Sequence, residues 1–144
     1  MHPFPHKYPV RAEASSESYV DLSSPGVENI PSAAPAEFGG PGDKWSPEAL
    51  LVSSIADCFI LSFKAIARAS NLPWESITVD VDGILDRVEK VTQFTEYHIN
   101  VELTVGEDIA AEKADRLLHK AERTCLVTNS LTGEKHLKTS IIHK

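Results

Sequence analysis

The sequence predicts an α+β fold with segregated layers, in the order βββ-α-ββ-α-β, over a single domain spanning residues 1–144. Three observations carry that reading. A long stretch near the middle of the chain is apolar on almost every helical face. Two later stretches alternate strictly between apolar and polar residues, as half-buried strands do. Between them and a last alternating stretch lies an amphipathic helical pattern, so strands and helices do not alternate as they do in a parallel α/β fold.

Near the N-terminus, Tyr8, Val10 and Ala12, then Tyr19, Val20 and Leu22, form short alternating stretches separated by Ser15-Ser16-Glu17-Ser18. Together with Ser23-Ser24-Pro25-Gly26 they predict two strands joined by a turn, and a third strand near 27–30. Phe38-Gly39-Gly40-Pro41-Gly42 punctuates the chain strongly, but its glycine spacing fits neither a P-loop nor a dinucleotide fingerprint. Ser46 suits a helix N-cap, Pro47 the first helical position and Glu48 the positive helix start. The helix runs to about residue 70, where Asn71-Leu72-Pro73 stops it. Its apolar residues Leu50, Leu51, Ile55, Phe59, Ile60, Leu61, Phe63 and Ile66 cover too many faces for a surface helix. In a chain this short, packing against a second copy would bury it, which predicts a homodimer. Residues 77–82 and 97–105 form an antiparallel hairpin with a turn near 86–92. Residues 108–123 form a helix with Ala110, Ala114, Leu117, Leu118 and Ala121 inward, and a strand over 137–143 closes the chain.

The net charge of −7 disfavours a nucleic-acid partner, which calls for a basic stripe. The N-terminal residues lack the apolar run of a secretory signal. Asp57 and Lys64 interrupt the longest apolar region, so neither a membrane-spanning helix nor a membrane partner is expected. A cytoplasmic location follows, and there a permanent structural disulfide is not expected. The chain has two cysteines, Cys58 within the apolar helix and Cys125 far along the chain. By count alone they read as small buried hydrophobes; their contexts favour redox chemistry. His98, His119 and His136 have no metal-ligand spacing, so no metal is assigned, and Trp45 and Trp74 read as core or dimer-contact residues.

Phe38-Gly39-Gly40, Ser46-Pro47-Glu48, Ala56-Asp57-Cys58-Phe59 and Cys125-Leu126-Val127-Thr128-Asn129-Ser130-Leu131, in that order, resemble the OsmC/Ohr family of osmotically induced and organic-hydroperoxide-resistance proteins. The likeness spans nearly the whole chain. It implies an intertwined homodimer with a long central helix and a thiol peroxidase that reduces organic hydroperoxides. It further implies Cys58 as the reactive thiol, Cys125 as the resolving thiol, no bound cofactor, and an external dihydrolipoyl-type dithiol as reductant. Glu48 matches the family carboxylate that holds a catalytic arginine. It precedes Cys58 by ten residues, about 15 Å along a straight helix, so Glu48 of one subunit would address Cys58 of the other. The arginine's place falls near Ser18-Tyr19, neither of them cationic; Arg11 and Lys44 are the substitute cations the sequence offers. The alternative function is a non-catalytic dimer that binds a small apolar ligand in the same interfacial pocket.

Overall fold

The computed structural model describes residues 1–144, whose internal contacts gather into two units, Met1–Leu51 and Val52–Lys144. In the first unit β1 (Arg11–Glu13), β2 (Val20–Ser23) and β3 (Ile30–Ser32) form an antiparallel sheet in sequence order. Tyr8 and Val10 lie outside β1 and are exposed. The third strand begins at Ile30, later than the 27–30 expected from the pattern. A turn with Gly26 at φ 82° leaves Val27 exposed, and pairing resumes only where Ile30 meets Leu22. The glycine loop contains a 3-10 turn over Ala36–Phe38, closed by Gly39 in the left-handed region. At Gly40 a Cβ would fall 1.6 Å from the Ala34 carbonyl oxygen, so only glycine fits there. Trp45 is not a core residue of the chain: it is 52% exposed, although its backbone bridges to the buried Ser32.

Helix α1 (Pro47–Ala69) starts as its sequence dictates: the Ala49 N–H donates to Ser46 Oγ at 3.1 Å. Asn71, in the left-handed region at φ 52°, ends it, and the N–H of buried Leu72 returns to the Ala67 carbonyl at 2.9 Å. Its buried residues are Ile55, Phe59, Phe63 and Ala67, one stripe at a spacing of four. Burial on most sides is therefore not reached within one chain, and Leu61 remains 58% exposed. By length and composition α1 is long and apolar enough to cross a membrane despite Asp57 and Lys64, a test that core helices of soluble proteins also pass.

In the second unit β4 (Ser76–Val88), β5 (Val91–Val105) and β6 (Glu134–His143) form a sheet in the order β4-β5-β6. The β4–β5 pair is antiparallel and the β5–β6 pair parallel. Along β5, Tyr97, Ile99, Val101, Leu103 and Val105 are buried, while His98, Asn100 and Glu102 lie on the other face. Helix α2 (Ala111–Thr124) buries Ala114, Leu117, Leu118 and Ala121. Ala110, expected to face inward, instead precedes the helix and is exposed. A short helix α3 (Leu126–Asn129), which the sequence reading lacked, follows directly. Gly83 on β4 is where α1 comes down on the sheet, since a Cβ there would lie 2.6 Å from Val52 Cγ2.

The central hairpin is longer than expected, its turn reduced to Glu89 and Lys90 with φ 49° and 70°. Positive φ at both turn residues is the type I′ arrangement that favours Asn-Gly, and neither Glu nor Lys is suited to it. The double change Glu89→Asn, Lys90→Gly should therefore stabilise the protein by about 1 kcal/mol. Urea denaturation measures it; a lower midpoint would show that the native side chains hold the turn.

Candidate functional site: a pair of thiols

The two cysteines, 67 positions apart by their numbers in the chain, meet within the second unit. Cys58 is carried on α1, one residue before the buried Phe59, and is half-buried. Cys125 occupies the joint between α2 and α3 and is only 1% exposed. Its position is fixed by backbone hydrogen bonds on both sides. The Cys125 N–H donates to the Glu122 carbonyl at 3.2 Å, and its own carbonyl accepts from the Asn129 N–H and the Thr128 hydroxyl, each at 3.1 Å. Thr128 is itself buried, so the first turn of the short helix α3 holds the Cys125 backbone in place.

The electrostatics of Cys58 show what surrounds it. Burial pushes the thiol above its ordinary range; the backbone amide of Val127 opposes this by donating to the sulfur. The neighbouring Cys125 raises it further, by hydrogen bonding and by the charge it would carry, and the Ser62 hydroxyl lowers it. Desolvation is the largest of these effects, so the unassisted thiol is poorly ionised near neutrality. Asp57 is exposed and is not among the groups acting on the sulfur. The Val127 amide and Ser62 were absent from the sequence reading. Ser62 could have been found, since it stands four residues after Cys58 on the same helix face.

Glu48 lies in the first turn of α1, ten residues before Cys58 on the same helix, and its Oε2 is buried without a hydrogen-bond partner. No cation in the chain serves it. Lys44 instead pairs with Asp43 at 3.5 Å and lies 5.2 Å from the centre of the Tyr19 ring, and Arg11 pairs with Glu13 at an exposed edge. The histidines also differ from expectation. They lack ligand spacing along the chain, yet the parallel register sets His98 directly opposite His136, with rings stacked 4.8 Å apart. His119 is apart from them, paired with Asp115 on α2.

Residues 40–140 match the model of a family described as OsmC-like protein. The chain belongs to the OsmC family. That span includes Glu48, Cys58 and Cys125, and the mixed α+β arrangement of the OsmC-like domain recurs in solved structures. An OsmC-like protein of unknown function from Vibrio cholerae superposes with a TM-score of 0.87 at 19% identity, over 94% of this chain and 100% of that one. An organic hydroperoxide resistance protein from Elizabethkingia anophelis superposes with a TM-score of 0.78 at 18% identity, over 99% of this chain and 100% of that one. At these identities the likeness is one of fold. The Bacillus subtilis protein YmaD is 24% identical over 107 residues, 72% of this chain and 71% of that protein.

Proposed function

We propose that this OsmC-like protein is a thiol peroxidase that reduces organic hydroperoxides. The observation that carries the proposal is the contact of half-buried Cys58 with buried Cys125. The Cys58 thiolate attacks the distal peroxide oxygen; the O–O bond breaks, an S–O bond forms, and the departing alkoxide takes a proton to leave as alcohol. The Cys58 sulfenic acid then condenses with the Cys125 thiol, releasing water and forming a disulfide before further oxidation. An external dithiol of the dihydrolipoyl type restores both thiols by exchange and is itself oxidised to its disulfide. Turnover of cumene or tert-butyl hydroperoxide with dihydrolipoamide tests the proposal; no turnover by the wild-type protein would sink it.

A second reading rests on a specific observation: the Cys58 thiol is raised by burial, and no cation reaches Glu48. Under it, the domain binds a small apolar ligand and the thiols are spectators. The pH dependence of iodoacetamide labelling separates the two. A peroxidase needs Cys58 to react with a midpoint below the free-thiol value of about 8.5, which requires a partner to supply positive charge. A midpoint at or above it favours the ligand-binding reading, with burial alone setting the thiol.

A further inference from the structure

The sheet of the second unit has one face turned toward α1 and α2 and one turned away from them. On the inner face Gly83 approaches Val52, and Thr139 donates to Asp115 of α2. From Glu96 onward in β5, and along β6, even-numbered residues lie on the other face, where two Glu-X-His triplets, Glu96-Tyr97-His98 and Glu134-Lys135-His136, run side by side. The parallel register pairs Glu96 with Glu134 and His98 with His136, so all four side chains stand in one patch. Asp82 of β4 is the register partner of His98 on its other side.

We propose that Glu96, His98 and His136 form a binding site for a late first-row divalent metal ion, with Zn2+ the foremost candidate. Both imidazoles turn their Nε2 atoms to the same carboxylate oxygen, Glu96 Oε1, at 3.6 Å from His98 and 3.2 Å from His136. All three donor atoms lie within 4.8 Å of one another. Tetrahedral zinc with ligands at about 2.0–2.1 Å sets its donors about 3.3 Å apart, and two of the three edges are already near that value. Small side-chain rotations close the third. The two imidazoles are stacked with planes 13° apart and share one carboxylate oxygen, so a common ion is reached by tilting the two exposed rings toward each other about their side-chain bonds.

The donor chemistry selects the ion. Imidazole nitrogen with a single carboxylate suits zinc, copper or nickel, whereas magnesium and calcium take oxygen ligands. Three protein ligands leave a tetrahedral ion one open position for water. Glu134, 3.5 Å from His136 Nε2, and Asp82 add negative charge nearby; Lys138, one position along the same face of β6, is the opposing cation. The patch is apart from the thiols, which belong to the helix-covered side.

Calorimetric titration of the full-length, reduced protein with ZnCl2 tests this, with MgCl2 as control. Zinc held by Cys58 and Cys125 survives substitution of the histidines, so the variants isolate the new site. The expected result is that His98→Asn and His136→Asn each remove one bound Zn2+ per chain, or weaken it by at least about tenfold. Glu96→Gln should weaken it in the same direction, and His119→Asn should leave it unchanged. The histidine side chains are 43% and 47% exposed, so the variants spare the core, and circular dichroism checks this. As a second reading, Zn2+ should raise the melting temperature of the wild type more than that of His136→Asn. Identical zinc stoichiometry and affinity in wild type, His98→Asn and His136→Asn would overturn the site, as would a melting gain equal in wild type and His136→Asn.

Discussion

Cys125→Ser should consume only one or two equivalents of organic hydroperoxide per chain and then stop, while Cys58→Ser should lose turnover by on the order of 10³ or more. The asymmetry follows from the roles proposed for the two thiols. Without Cys58 there is no nucleophile to take the peroxide oxygen, and a serine hydroxyl does not replace a thiolate. Without Cys125 the first chemical step survives, because the half-exposed Cys58 still meets the peroxide. The sulfenic acid then has no neighbouring thiol to condense with, and excess peroxide carries it to the sulfinic acid. Mass spectrometry should find the oxidised form at Cys58 in Cys125→Ser, and a Cys58–Cys125 disulfide in the wild type. Undiminished multiple turnover by Cys125→Ser would remove Cys125 from the mechanism and leave Cys58 to be recycled directly by the external thiol.

The long helix, its Ser46 cap and its stop at Asn71 were legible because each rests on local chemistry: a side-chain oxygen for an orphan amide, a proline that needs no donor, a residue tolerant of the left-handed region. The hairpin and α2 were legible from periodicity. Elements set by pairing partners rather than by their own residues were not. The third strand starts where Leu22 finds Ile30, and the turn at Glu89-Lys90 is fixed by the strands around it. Helix α3 is too short to show a period. At the site, the two cysteine contexts could be recognised separately, but their meeting is a tertiary fact. So is the Val127 amide, since a backbone donor leaves no mark in the sequence. The histidine pair was missed because ligand spacing was sought along the chain. The signal lay across it, in two Glu-X-His triplets whose parallel register only the sheet supplies.

Leu61→Asp should convert a dimer into monomers, raising the dissociation constant by on the order of 100-fold or more, which corresponds to about 2.7 kcal/mol. The prediction starts from the mismatch between the composition and the burial of α1. The helix buries one stripe, Ile55 to Ala67 in steps of four, and leaves Leu61 58% exposed with other apolar residues half-covered. An apolar face of that kind costs free energy in water until something covers it. A second copy fits the rest of the site best. Glu48 and Cys58 are ten residues apart in the sequence of α1, about 15 Å of straight helix, and a partner helix running past is the simplest way to bring a carboxylate of that kind to the thiol. A carboxylate introduced at position 61 would be desolvated in such an interface without a partner, whereas in a monomer it would sit in water at no cost. The same substitution therefore leaves the fold of the single chain intact, as circular dichroism can verify. Light scattering on the wild type should give twice the 15.8 kDa chain mass across a wide dilution range, and Leu61→Asp should give the chain mass. If peroxidase turnover depends on Glu48 reaching across, it should fall together with the dimer. A wild-type protein that is soluble and active as a monomer would remove the dimer and the cross-subunit role of Glu48 at once. A monomer that dissolves only with detergent would instead point to lipid as the cover for α1.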